Sequence, residues 1–251
     1  MPKQIGIFKI EGTIGDVTFY KGPDGHLVRG KGGVSKDRIK NDDSFERTRE
    51  NNSEFGRAGS AGKLLRVAFK NYLQNATDSK TVSRLTKKMI EVVKADATST
   101  RGQRNVLDGE LELLQGFEFN IDSELSQTVS APYTANIDRV TGQATVNIPP
   151  FVPGKLISAP TGATHFQLIS AAAEIDFEKN IFNVVNAEGD HISLDIKPTQ
   201  QIDLACALPA NSTHPLFLVL GIAYNQEVNG EMYELKNGNF NSLAFVKILG
   251  L

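Results

Sequence analysis

The chain has 251 residues, 40% hydrophobic and 22% charged, enough apolar material for one large or two modest domains and too much for wholesale disorder. Its single cysteine, Cys206, excludes an intrachain disulfide framework and a multi-cysteine zinc site. The net charge of −2 conceals a division: residues 1–104 carry 21 Lys and Arg against 12 Asp and Glu, a net of +9, and residues 105–251 carry 6 against 17, a net of −11.

The opening Met1-Pro2-Lys3-Gln4-Ile5-Gly6 lacks the apolar run of a signal peptide, so the expectation is cytoplasmic synthesis, with membership of a particle or an exported assembly left open. Residues 5–31 read as a β-hairpin or small sheet. Ile5, Ile7 and Ile10 lead to Gly12, and Ile14, Val17, Phe19 and Tyr20 lead to the turn Gly22-Pro23-Asp24-Gly25, with His26 to Arg29 as the return strand. A short hairpin is marginal alone, so Ile5, Ile7, Phe8, Val17 and Phe19 need a surface to cover them. That surface is either the chain's own helices or the sheet edge of a neighbouring subunit.

From Asp42 the apolar period becomes helical. Asp43 or Ser44 caps a helix with Phe45, Thr48, Asn52 and Phe55 on one face. Gly56, Gly59 and Gly62 then interrupt or closely pack the next segment. Leu64, Leu65, Ala68, Phe69, Tyr72 and Leu73 make one amphipathic stripe. Val82, Leu85, Met89, Val92 and Val93 make another, with Arg84, Lys87, Lys88 and Lys94 turned away. Ala97 to Gly102 reads as a linker and Gln103 to Leu114 as a short helix.

Beyond Gln115 the alternation is two-residue. Phe117, Phe119 and Ile121 follow it, as do Ala144, Val146 and Ile148, then Ile192, Leu194 and Ile196, then Ile202, Leu204, Cys206 and Leu208. Apolar strands near 163–170, 181–185, 216–224 and 243–249 complete the set, with Asn229-Gly230 among the turns. The stretch Leu216 to Tyr224 is too short to span a bilayer and reads as a buried strand. The expected fold is α+β: a basic β-hairpin and helical domain over 1–104, then an acidic antiparallel β-sandwich of immunoglobulin- or fibronectin-like kind over 105–251.

No catalytic signature accompanies this pattern. His26, His165, His191 and His214 stand singly, without a second ligand at a recognised metal spacing. Cys206 is in phase with core residues. Residues 56–63 imitate a phosphate loop, but Arg57 stands where its first glycine belongs and Leu64 where Ser or Thr would follow the lysine. The expectation is therefore a protein that is not an enzyme and needs no cofactor.

Gly12-Thr13-Ile14-Gly15-Asp16-Val17-Thr18-Phe19-Tyr20-Lys21 resembles the opening of a group of uncharacterised bacterial proteins of similar length. Asp24-Gly25, Arg29, Lys31-Gly32-Gly33-Val34, Arg38-Ile39, Phe45, Arg47-Thr48-Arg49-Glu50-Asn51, Glu54-Phe55-Gly56 and Leu64-Leu65-Arg66 continue the likeness. The resemblance covers about the first quarter of the chain and brings no activity, ligand or catalytic residue with it.

The charge division implies a partner. The leading expectation is a structural or assembly protein that joins copies of itself into a homo-oligomer or filament, as a fibre, tail-like or particle subunit. The contact residues would be Arg29, Lys31, Arg38, Arg47 and Arg49 on the positive side. The alternatives are nucleic-acid binding by the basic half, and ligand or carbohydrate binding through loops such as Asn225 to Asn229 and Asn237 to Asn241.

Overall fold

The computed structural model describes residues 2–30, 33–235 and 240–251. It is a mixed α+β structure: an N-terminal three-stranded sheet, a helical region, and antiparallel sheets that include a curled half-barrel. Among the described residues, no helix is long and apolar enough to cross a membrane. Two compact units divide the chain, Met1–Glu50 and Asn51–Leu251.

In the first unit, β1 (Gly12–Ile14), β2 (Val17–Gly22) and β3 (Gly25–Gly30) pair in that order, all antiparallel. Gly22 pairs with Gly25, which leaves Pro23-Asp24 as the two turn residues that the sequence indicated. The expected strand through Ile5, Ile7 and Ile10 does not form. Instead Pro2 to Gln4 borders β3, with Gln4 N–H donating to the His26 carbonyl and Val28 N–H to that of Pro2, each at 2.9 Å. The Gln4 side chain then holds Ile10 through its backbone, and the residues between bulge outward. Ile5, Ile7 and Phe8 are 93%, 96% and 88% exposed. Leu27 is the one fully buried side chain among this unit's described residues.

Helix α1 (Lys36–Asn41) is capped by Ser35, whose Oγ accepts from Arg38 N–H. Asp42, one residue earlier than expected, accepts from Ser44 N–H at 2.9 Å and starts the turn that leads into α2 (Glu46–Ala68).

In the second unit, α2 continues without a break through Gly56, Gly59 and Gly62, so the phosphate-loop imitation is helical throughout. Its buried side is Glu54, Ala58, Ala61, Leu65 and Ala68. Phe55 therefore points elsewhere and is 58% exposed, contrary to the face expected from Phe45, Thr48, Asn52 and Phe55. A methyl at Gly62 would stand 3.5 Å from Met89 Cγ, which marks the close approach of α2 to α4 (Thr81–Ala95). Between them lies the single turn α3 (Lys70–Leu73). Helix α4 buries Leu85, Met89, Val92 and Val93 as expected, while Val82 is exposed. Arg84 does not turn away. Its guanidinium pairs with Asp78 and donates to the Glu118 and Phe119 carbonyls.

Ala97 to Gly102 is not a free linker. Asp96, 1% exposed, accepts from the N–H groups of Thr98 and Ser99, each at 2.9 Å, and of Asn105 at 3.1 Å. Burial alone would raise that carboxyl, but these donors outweigh it and hold its pKa well below the usual carboxylate range. Of the helix expected over Gln103 to Leu114, one 3-10 turn forms, Leu111–Leu114.

The antiparallel part contains two sheets. Strands β4 (Thr134–Asp138), β5 (Gln143–Ile148) and β9 (Ile202–Ala207) make the smaller one, in the order β4-β5-β9. The larger is built on β6 (His165–Asp176) and β10 (Leu216–Val228), paired along their length. Strands β7 (Ile181–Glu188) and β8 (Ile192–Ser193) border β6, while β11 (Glu231–Glu234) and β12 (Ser242–Leu249) border β10. Asn229 and Gly230 have φ of 53° and 84°, the left-handed pair that a tight β10–β11 hairpin requires.

The larger sheet is buried on both faces. Along β10, Leu216, Leu218, Leu220, Ile222 and Tyr224 join Val146, Leu204 and Cys206 of the smaller sheet in one core. The alternate residues Phe217 and Val219, with Phe245 of β12, join Leu65, Leu85 and Met89 of the helices in the other. An extra residue in β12 opposite Leu218/Val219, at Val246, brings Ile248 rather than Lys247 onto the helical side with Phe245. The expected strand at Phe117 and Phe119 borders β12, with Phe119 N–H donating to Leu243 O at 2.9 Å. The helices and one face of the sheet therefore share a core across the position of Arg104.

Candidate interaction surface

Four of the five expected contact cations lie within the described residues. Arg29, on β3, is exposed and lies over the Tyr20 ring at 5.3 Å. Arg38 pairs with Asp42 at 3.0 Å and covers the Phe45 ring. Arg49 donates through Nη1 to the Ile39 and Asp42 carbonyls, each at 2.8 Å, and so ties the end of α1 to the start of α2. Arg47 is exposed. Lys31 lies outside the described residues, and so does part of the Asn237 to Asn241 loop. Asn225 to Val228 belongs to strand β10 rather than to a loop, and Asn225 is buried.

The positive excess concentrates further along. Residues 51–104 hold 11 Lys and Arg against 4 Asp and Glu, and 1–50 hold 10 against 8. On α4, Lys87 and Lys94 recur one heptad apart, which places them on one face of the helix. They rim a surface groove of about 420 Å³ between α2 and α4 that Phe55 and Ile90 line. Phe55 thus lies exposed beside two ammonium groups and the Glu91 carboxylate that shares the groove with them, the layout of an apolar contact with a charged margin. The periodicity missed this groove because it assigned Phe55 to the inward face.

Among the second unit's described residues the ion pairs fall within each charge set, while burial raises the Glu118 carboxyl against the opposing pull of the Arg84 charge from across the division. Arg84–Asp78 and Lys88–Glu91 lie inside 51–104. His165–Glu227, Lys179–Asp176 and His214–Asp176 lie inside 105–251. No ion pair among that unit's described residues joins the first set to the second.

The remaining titratable groups do structural work. His191 Nδ1 meets Asn225 Nδ2 at 2.9 Å, and the other histidines face single carboxylates at 3.7 to 3.9 Å. Cys206 is fully buried, and burial pushes its thiol up. Among the described residues no group of three or more His, Cys, Asp or Glu is arranged to hold a metal ion. Comparison with known proteins gives no significant match to a family model, a curated protein or a solved structure.

Proposed function

We propose that this chain is a structural protein that assembles with copies of itself, the cationic helical layer of one copy meeting the carboxylate-rich sheets and loops of the next. The observation that carries this reading is the separation of charge in the second unit. Its helical residues 51–104 carry a net of +7 and residues 105–251 a net of −11, and the five ion pairs named above, all among the described residues, each stay inside their own set. Such a body is complementary to its own neighbour in a head-to-tail contact, which closes into rings or extends into filaments. The exposed Ile5, Ile7 and Phe8 add apolar area that a neighbour would cover.

The finer description of 105–251 as an immunoglobulin- or fibronectin-like sandwich belongs to the same proposal. Its support is the core shared by the two antiparallel sheets. The membership of a bacterial group suggested by residues 12–66 likewise stays a proposal, supported by the string of matching residues.

Light scattering across a salt and concentration series tests the assembly. Oligomers that grow with concentration and shrink as salt rises are expected. A monomer under every condition removes the reading. The same exposed lysines would also suit a phosphate backbone, and salt-sensitive retention of nucleic acid in filter binding, without self-association, would favour that alternative.

A further inference from the structure

We infer that the second unit contains a binding cleft for a neutral, polyhydroxylated ligand of saccharide type, between the α3 region and the edges of the larger sheet. The cleft has a volume of about 350 Å³. That is room for one or two pyranose rings and lies at the lower end of the range for small-molecule sites.

Its wall is built from widely separated parts of the chain. Asn71, Tyr72 and Asn75 come from the helical side, Asn186 and Glu188 from β7, and Glu234 from β11. Two amide–carboxylate pairs are already formed: Asn75 Nδ2 donates to Glu234 Oε1 and Asn186 Nδ2 to Glu188 Oε1, each at 3.0 Å. Each pair joins side chains at the open side of the cleft and leaves the amide oxygen and the second carboxylate oxygen without a partner among the described residues.

A second, independent observation points the same way. Asn241 lines the cleft and is 3% exposed, yet its Oδ1 has no hydrogen-bond partner among the described residues, and Ser242 borders the cleft through its backbone. Unpaired buried oxygens are costly, and they are tolerated where a ligand or water completes them. Beside them, Gly221 carries no side chain, and a methyl there would come within 2.9 Å of Leu243 Cδ1 and the Ser242 carbonyl oxygen.

The chemistry selects the ligand. Among the described residues no Lys, Arg or His lines the cleft, so a phosphate or carboxylate would face Glu188 and Glu234 without a counter-charge from them. An ammonium group would satisfy those carboxylates and the free amide oxygens through its own donors, so a diamine is the competing probe in the test. A hydroxyl both donates and accepts, and adjacent hydroxyls match the spacing of a planar amide or carboxylate. Tyr72 adds an aromatic ring to the same wall. Burial, followed by the Glu188 charge, raises its phenol and keeps it a donor.

Saturation-transfer NMR tests this with glucose, N-acetylglucosamine and cellobiose as neutral probes, and putrescine and inorganic phosphate as charged ones. Transfer to at least one sugar is expected. It should fall about tenfold in Asn186→Ala and in Asn75→Ala, each of which loses a hydrogen-bonding group. Circular dichroism of the variants separates lost binding from lost fold, and Asn186→Gln offers a milder change should Asn186→Ala unfold. Transfer to putrescine alone, to phosphate alone, or to no probe overturns the inference, as does sugar transfer that persists in both variants. Self-association is read separately by light scattering, so failure of this site leaves the assembly proposal standing and the reverse also holds.

Discussion

Gly102 donates its backbone N–H to Oε1 of Glu54 at 2.8 Å, and both residues are buried. A carboxylate on the inward side of α2 thus fastens the segment that follows α4. Arg57 reinforces it from the next turn of the helix, donating to the Gly102 and Arg104 carbonyls at 2.7 and 2.9 Å. Glu54→Ala leaves the Gly102 N–H unsatisfied at a cost of about 1–3 kcal/mol. Limited proteolysis should then cut first between Ala97 and Arg104, and an unchanged cleavage pattern would show that the contact does not hold the segment.

Acid should release the neighbouring anchor. The Asp96 carboxyl is held below its ordinary value by the Ser99, Asn105 and Thr98 donors, which outweigh its burial. A depressed folded-state pKa gives stability that is present above the unfolded value near 3.8 and is lost as pH falls through the folded one. The difference in melting temperature between wild type and Asp96→Ala should therefore be constant from neutral pH to about 5 and shrink below about 4. Thermal melts on both proteins across that range measure it.

Two glycines should respond in opposite ways. A methyl at Gly59 meets nothing within 4 Å, so Gly59→Ala should stabilise by about 0.5–1 kcal/mol through helix propensity. Gly142, with φ of 76°, would place a methyl 2.1 Å from the Leu208 carbonyl oxygen, so Gly142→Ala should destabilise by more than about 2 kcal/mol. Urea titrations of the two variants check both signs.

Phe245 is the hub of the helix-side core, with Phe119 at 4.9 Å and Phe69 and Phe217 each at 5.7 Å. Phe245→Ala should cost about 3–5 kcal/mol. Because that core joins the helices to the larger sheet, loss of helical and strand signals should coincide in one transition. Two separated transitions within 51–251 would show that the layers fold apart.

Much of the antiparallel part was legible because β5 and β9 bury one face and alternate cleanly. Strands β6 and β10 read as apolar runs since both their faces are covered, and nothing in such a run says that helices cover one of them. Strand β4, with mostly polar outward residues, and β11, wholly exposed, gave no apolar signal, although Asn229-Gly230 announced the turn before β11. Ala97 to Gly102 has the composition of a linker. Its fixation comes from Asp96 and Glu54, whose burial depends on tertiary packing. The same limit hid the cleft, since the positions of Asn75 and Glu234 say nothing in sequence about their meeting. The cations at Arg38 and Arg49 were legible as charges, but their local partners were not.

The most direct measurement is sedimentation velocity at low salt on wild type and on the double variant Lys87→Glu/Lys94→Glu, whose two sites are exposed and rim the Phe55 groove. The assembly account predicts a wild type that sediments as concentration-dependent oligomers and a variant that stays monomeric, both with the same circular dichroism. Identical sedimentation of the two proteins, whether as monomers or as oligomers, would contradict it.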